Sequence, residues 1–508
     1  MPEEFNIVSL FYEAAVKSPD KTAIIYRKQK ISFADFEKQV TATANYFISM
    51  GLKKGDRVLI FVPMSISLYR IVLALFRIGA VAVFLDEWVS KKRLDICCQV
   101  AQCQAFIGNL KATLLSFFST ELRKIPIKLS PHRTKMERNS IFPVTYSYDT
   151  ALITFTTGST GIPKAAKRTH GFLLEQFNAL RQKIKPMPNE VDMPVLPIVL
   201  LINLGAGITS VIADYKANKP AQMRPKKIIE QLQQNKVNRV IASPFFIKEI
   251  AKYISEHGLQ LPLLKKILTG GAPVFPAEAA LYAKAFPDAT TEIVYGSTEA
   301  EPISAISVKE LIKETNFLKG LNVGKVDPCA EVKIIQLKDE PIFVSTDKKL
   351  TQLEMPLGEI GEIIVSGKHV LREYINNEIA IQRNQIISGE VCWHRTGDSG
   401  YFDEKGNLRL TGRCSSLLYA NGNIIAPFMY ENYFQTIKGI EMGTILMHKE
   451  KIVAIIELMP GIKKEQVNDL ISNLALPFDS VNYIKKIPRD PRHNSKIDYQ
   501  KLAVIISA

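Results

Sequence analysis

Hydroxyls, two glycines and a lysine crowd into nine residues, Thr156-Thr157-Gly158-Ser159-Thr160-Gly161-Ile162-Pro163-Lys164, directly after the β-type run Ala151-Leu152-Ile153-Thr154-Phe155. Glycines let backbone N–H groups approach a phosphate closely and form an anion-binding concavity. The hydroxyls add donors and the lysine adds a mobile positive charge. The segment therefore reads as a strand followed by a polyphosphate clamp. It is not a Walker loop, G-x4-G-K-[ST], because Gly158, Gly161 and Lys164 are spaced three and three. An ordinary Gly/Ser turn is the alternative for the segment taken alone.

A chain of 508 residues exceeds one core and implies roughly two to four folding units. With 46% hydrophobic and 23% charged residues it is an ordinary globular sequence. Met1-Pro2-Glu3-Glu4-Phe5 carries acids and opens no apolar run, so no signal peptide and a cytoplasmic location are expected. Met193 to Ala213 lacks charge and is long enough to span a bilayer. Pro194, Pro197, Asn203, Gly205 and Gly207 interrupt it, so it reads as core or pocket wall, with no transmembrane span. Cys97, Cys98 and Cys103 lack the paired CxxC of a zinc site and are expected as free, buried thiols.

The formal charge of +15 attracts anionic membrane surfaces, acidic carriers or phosphate-rich small molecules, so peripheral membrane contact stays open. Its basic residues are dispersed (Lys226-Lys227, Lys265-Lys266, Lys463-Lys464, Lys485-Lys486) with no long block, which argues against nucleic acid.

Strand and helix patterns alternate through the first three hundred or so residues. Ser32-Phe33-Ala34-Asp35 reads as a capping box ahead of the stripe Phe36, Val40, Ala44 and Phe47. Arg57–Val62 reads as a strand, and Ile71 to Phe84 as helix passing into strand. Helices are expected over Pro225–Asn235 and Phe246–His257, strands over Arg239–Ala242 and Lys266–Thr269. Such alternation implies α/β layers built on parallel sheets. After about residue 320, Val332–Ile335, Gly361–Val365 and Leu408–Thr411 read as short strands of a β-rich subdomain. Residues 414–508 suffice for a small α+β domain.

Three more segments carry chemistry. Tyr295-Gly296-Ser297-Thr298-Glu299 follows a strand-like run and offers an aromatic face for a purine and a carboxylate for Mg²⁺. A strand-end turn is its alternative. Arg395-Thr396-Gly397-Asp398 precedes a hairpin and Thr411-Gly412-Arg413; Asp398 suits a ribose diol, with Arg413 assisting, or is a turn aspartate. Asn494-Ser495-Lys496-Ile497-Asp498 ends the series, and a lone lysine there is commonly a solvated charge.

In this order and spacing the four segments resemble the AMP-forming acyl-activating superfamily of acyl-CoA synthetases, luciferases and adenylation domains, from about Ser9 to Leu502. The resemblance implies an adenylation domain over 1–412, a hinge at 413–416 and a mobile lid domain over 417–508, with ATP between them. By the same resemblance, Thr156, Thr157, Gly158, Ser159, Thr160, Gly161, Gly271, Ala272, Pro273, Tyr295, Gly296, Ser297, Asp398 and Arg413 bind the nucleotide. Lys164, Thr298, Glu299 and Lys496 are the implied catalytic residues, Glu299 holding Mg²⁺ and Lys496 reaching the α-phosphate and the acyl carboxylate. Leu196 to Asn203 is aliphatic and lacks a gating histidine or aromatic. It implies a fatty chain, in a pocket expected at Ile198, Val199, Leu200, Leu204 and Gly205.

The broad expectation is activation of a fatty, or 3-hydroxy fatty, acid as acyl-AMP with release of pyrophosphate, then transfer to CoA or a carrier thiol. Two departures point elsewhere. Ser415 and Tyr419 stand where thioester-forming members usually carry charged residues. Leu204–Ile212, Ala242-Ser243-Pro244, Trp393-His394-Arg395 and Pro488–Lys496 are similar to the ligase-like enzymes of olefin biosynthesis. That similarity implies closure of a 2-alkyl-3-hydroxy acid to a β-lactone without CoA. A catalytically silent acyl- or nucleotide-binding protein is the third reading.

Overall fold

The structure, a computed structural model, describes residues 3–85, 91–109, 119–134, 141–157, 163–216, 219–344, 346–420, 422–472, 478–489 and 497–507. Two large sheets carry the α/β layers. The six-stranded sheet runs Ile127–Leu129, Ala105–Gly108, Arg57–Phe61, Val81–Phe84, Thr150–Thr157, Pro163–Thr169. It is parallel up to its last pair, which forms an antiparallel hairpin. The nine-stranded sheet is parallel through its centre, from Thr290–Tyr295 across to Thr22–Tyr26, and antiparallel at both edges. Sequence alternation finds the parallel centres. The antiparallel pairs Thr22–Tyr26 with Gln29–Ser32 and Thr290–Tyr295 with Ser304–Ser307 arise where the chain returns with no helix between the strands.

Local rules account for the element ends. Ser32 Oγ accepts the Asp35 N–H at 3.1 Å and starts the helix Phe33–Ser49. In place of the reciprocal bond of a capping box, the shorter aspartate takes the Ser32 hydroxyl itself, at 3.0 Å. The expected helix at Phe246 begins earlier, at Pro244, because proline fits the first helical position after Ser243. Helix passes into strand as Ile66–Arg77 and Val81–Phe84. One large cluster of buried side chains, with Phe11, Phe33, Phe36, Phe47, Tyr69 and Leu75, gathers the helices Ser9–Lys17, Phe33–Ser49 and Ile66–Arg77 over these strands.

The uncharged run folds as core. It becomes the strand Val191–Pro194, the nine-residue helix Pro197–Gly205 and the strand Thr209–Ile212. No helix among the described residues is long and apolar enough to cross a membrane. Asn203, which interrupts the run, is buried and donates to Asp192 Oδ2 at 2.7 Å and to Ser210 Oγ at 3.0 Å. Its carbonyl accepts from Arg239 at 2.7 Å, and the fully buried Arg239 also pairs with Asp192 and Glu190. The cysteines are free, and burial pushes the Cys98 and Cys103 thiols up to about 12, which leaves them unreactive.

A third sheet of six strands, all pairs antiparallel, includes Glu331–Ile335, Gly361–Ser366, Val391–Phe402 and Leu408–Arg413. The tight turn Cys414–Ser416 leaves it, within the segment expected to pivot. Beyond lie the hairpin Leu418–Ala420/Asn423–Ile425, the helix Pro427–Phe434, a three-stranded sheet and the terminal helix Tyr499–Ser507.

Removing one member of a buried charge cluster strands its partners. Arg239→Ala is expected to cut the unfolding free energy by about 3–5 kcal/mol, read by denaturant titration followed by circular dichroism. A loss below about 1 kcal/mol, the scale of an exposed pair, would contradict this account of the cluster.

Candidate active site at the strand ends

The described residues of the first three motif segments converge where the two large sheets and the antiparallel subdomain meet. Thr156 pairs with Lys164 and Thr157 with Pro163 across the hairpin. Gly158, Ser159, Thr160 and Gly161 lie outside the described residues, as does Lys496. Lys164 is buried, its Nζ donating to Asn384 Oδ1 at 2.9 Å and standing 5.8 Å from the Tyr374 ring centre. Burial pulls its pKa down, opposed by the Glu299 carboxylate.

On the neighbouring sheet, Gly270 pairs with Val294, so Gly271-Ala272-Pro273 and Tyr295-Gly296-Ser297 leave adjacent parallel strands at their carboxyl ends. Ligand crevices form at such ends in open α/β sheets. A Cβ at Gly270 would stand 2.5 Å from the Val294 carbonyl, so the close approach needs glycine. Ser297 Oγ caps the following turn, accepting the N–H groups of Glu299 and Ala300 at 3.2 Å each. The Thr298 carbonyl accepts from Arg168 Nη2 at 2.7 Å. Glu299 accepts the Leu371 N–H on its backbone carbonyl at 2.7 Å and the Tyr374 hydroxyl on Oε1 at 3.4 Å.

The third wall is the turn Thr396-Gly397-Asp398. Gly397 holds a φ of +70°, Thr396 Oγ1 donates to the Ile363 carbonyl at 2.7 Å, and Asp398 N–H donates to Thr396 Oγ1 at 3.0 Å. Behind it the buried Arg395 binds Glu362 at 2.6 Å. Tyr295 Oη donates to Asp398 Oδ2 at 2.8 Å, and Arg413 Nε lies 3.2 Å from Oδ1. Burial, with the Asp398 charge beside it, pushes the Tyr295 pKa well above 10, so the phenol stays a donor. A carboxylate has about four lone-pair sites, so Asp398 retains capacity for two further hydroxyl donors.

Four residues that the motifs did not single out as site residues belong here: Arg168, Tyr374, Asn384 and His394. Arg168, buried, donates to Thr154 Oγ1 as well as to Thr298. Strand periodicity was enough to find it, because Lys164, Ala166 and Arg168 share one face of Pro163–Thr169. Tyr374, Asn384 and the ring of His394 are brought in by tertiary contacts that no local pattern announces. His394 is buried, its Nδ1 has no hydrogen-bond partner, and burial lowers its pKa, with Glu299 opposing and Lys164 assisting.

The residues expected to line an acyl pocket do not share one surface. Leu200 and Leu204 are fully buried in the core around Phe11 and Phe36. Ile198 and Gly205 line a cavity of about 50 Å³ shared with Leu10, Leu73, Phe76 and Phe177. Val199 packs with Ile241 and Leu268, in a cluster that Ile198 and Val294 border. Of the five, Val199 and Ile198 are therefore set against the strands that lead to the crevice.

Because burial disfavours the charged ring, the His394 imidazole is expected to stay neutral above about pH 6.5, the ordinary value for histidine. Ring-nitrogen shifts in an NMR titration check this. A protonation midpoint above that pH would contradict it.

A family model described as AMP-binding enzyme matches residues 11–375 of the chain. An olefin beta-lactone synthetase of Stenotrophomonas maltophilia is 27% identical over 99% of this chain and 98% of its own length. A medium-chain acyl-CoA ligase of Rattus norvegicus is 24% identical over 88% of this chain and 78% of its own. The fold is shared with O-succinylbenzoate coenzyme A synthetase of Bacillus subtilis, solved in complex with ATP and magnesium ion. The TM-score is 0.80 at 19% identity, covering 97% of this chain and 98% of that one.

Proposed function

The chain belongs to the AMP-binding enzyme family and is an AMP-forming acyl-activating ligase, and on that premise we propose that it adenylates an aliphatic 3-hydroxy acid and closes it to a β-lactone. The observation that carries the first half is the set of opposed charges at the strand ends: Lys164 and Arg168 against Glu299, and Arg413 against Asp398. A carboxylate oxygen must attack the α-phosphorus of ATP while both reactants are anions. Fixed cations offset that repulsion without reorganising. Lys164, held by Asn384 on the strand that follows the clamp, receives the polyphosphate in this reading. Asp398, already positioned by Tyr295 and Arg413, accepts the ribose hydroxyls.

Among the described residues no cluster of three metal-ligating side chains exists. A single carboxylate, Glu299, is nevertheless the donor set that Mg²⁺ uses when substrate phosphates and water complete its shell. Bound there, Mg²⁺ would supply charge neutralisation across the phosphates. Lys496 bridges the attacking oxygen and the α-phosphate in this reading.

In the second half the substrate's 3-hydroxyl oxygen attacks the acyl carbon, AMP leaves and the hydroxyl proton is released. The full-length likeness to a β-lactone synthetase supports this acceptor. So does the hinge, where Ser415 and the 63%-exposed Tyr419 present no charge to a thiol cofactor. The second reading, transfer to CoA, draws on the likeness to a medium-chain acyl-CoA ligase.

With ATP and a 2-alkyl-3-hydroxy acid, pyrophosphate release is expected together with a product at the mass of the acid less one water, independent of CoA. A product that forms only with CoA and carries its mass would overturn the lactone. Lys164→Ala is expected to lower kcat about 10²–10³-fold, the scale of losing one transition-state donor. Asp398→Ala should act mainly on KM for ATP, raising it about tenfold or more, as expected for lost uniform binding. Steady-state pyrophosphate assays read both; equal effects on kcat and KM in the two variants would contradict the division of roles.

A further inference from the structure

The edge of the nine-stranded sheet that carries the crevice also carries charge that the chemistry above does not use. Thr22–Tyr26 pairs in parallel with Thr209–Ile212, and the parallel run continues through Val191–Pro194 and Arg239–Ala242 to Lys266–Gly270. Their carboxyl ends share one edge, where Gly271 and Gly296 also leave. Three strand spacings, about 14 Å, separate Lys266–Gly270 from Thr209–Ile212. Two segments distant in sequence meet at the far end of that edge. The hairpin after Tyr26 presents Arg27, Lys28 and Lys30, all exposed. The helix Pro225–Gln234 opens on Arg224, Lys226 and Lys227, which are exposed as well.

One carboxylate gathers them. Asp214, two residues past Thr209–Ile212, binds Lys227 and lies 3.6 Å from Arg27 Nη2. The Asp214 N–H donates to Gln231 Oε1 at 3.0 Å, and Gln231 Nε2 donates to the Ile212 carbonyl at 2.8 Å. These bonds fix the helix against the strand end. Residues 26–32 and 214–229 hold no other acid, so a single negative charge sits among the cations. Lys226 and Lys227 stand in the first turn of the helix, where the dipole favours anions, and no acidic residue shares that turn. Stability of the fold does not account for this concentration of like charge, whereas an external anionic surface does.

We propose that this patch docks the protein on an anionic lipid surface and turns the crevice edge toward the bilayer that dissolves its aliphatic acid. What the patch lacks decides for lipid over an acidic protein. Protein interfaces bury an apolar centre enriched in aromatic residues. Among the described residues of 26–32 and 214–229 no large hydrophobic side chain is exposed. A lipid surface needs charge alone, each lysine or arginine near it strengthening binding about fivefold. The aliphatic acid is taken from the function proposed above. Docking is measured without it, so either reading can fail alone.

The test is cosedimentation of the full chain with phosphatidylcholine vesicles, with and without phosphatidylglycerol. The wild type should partition onto the anionic vesicles at least about tenfold more than onto the neutral ones. Near about 1 M salt, where the Debye length is about 3 Å, that preference should vanish. Lys28→Glu/Lys30→Glu/Lys226→Glu should weaken binding at least about a hundredfold, three cations at about fivefold each. Pyrophosphate release with a soluble short-chain acid should be unchanged in that variant. Lys185→Glu/Lys236→Glu/Lys265→Glu makes the same change in net charge at the amino-terminal edge of the sheet and should keep most of the binding. Equal loss in the two variants overturns the proposal, because net charge and not this patch would then hold the protein. So does a wild type with no preference for anionic vesicles, or one that forms a patch-dependent complex with an acidic acyl carrier protein instead. A raised KM for CoA in the first variant, beside unaltered vesicle binding, assigns the patch to CoA phosphates and overturns it as well.

Discussion

Arg168 staples the two large sheets together. Its guanidinium reaches Thr154 on the six-stranded sheet and the Thr298 carbonyl just past the nine-stranded one. Buried backbone carbonyls require a donor, and here the donor comes from the strand that also carries Lys164. The clamp hairpin and the strand-end turn are thereby held in one frame. Polyphosphate and carboxylate are brought together only within that frame.

Within it, charge is arranged in pairs. Glu299 counters the desolvation of Lys164 and of Arg168, and is itself bonded by Tyr374. Asp398 is set between Tyr295 and Arg413. Such pairs are expensive to bury and contribute little net stability, so their concentration at strand ends points to chemistry. The Arg239–Asp192–Asn203 cluster is the contrasting case. It sits behind the apolar helix, away from the crevice, and satisfies the polar residue that breaks an otherwise hydrophobic run.

Much of this was legible in the chain. The alternating patterns gave Arg239–Ala242 and Lys266–Thr269 as parallel strands because side-chain period and burial agree there. The four motifs are contiguous, so their types and spacing show in one dimension. Tyr374 and Asn384 were not legible, since they reach Lys164 and Glu299 only after some two hundred residues of chain fold back or after the β-rich subdomain docks. The acyl wall was read as one surface from its composition, but a nine-residue helix presents its aliphatic side chains all round. Its neighbours then assign Leu200 and Leu204 to one core and Ile198 and Val199 to another.

The turn Cys414–Ser416 and the Phe428–Phe275 contact join the residues beyond Arg413 to this frame of fixed charges, the core of the account. Its central claim is that this frame reversibly joins an aliphatic carboxylate to the innermost phosphorus of ATP. Acid-dependent exchange of labelled pyrophosphate into ATP measures that step without reference to any acceptor. The account predicts label in ATP only when an aliphatic acid is present. No exchange with any such acid, or cleavage of ATP to ADP in its place, would contradict it.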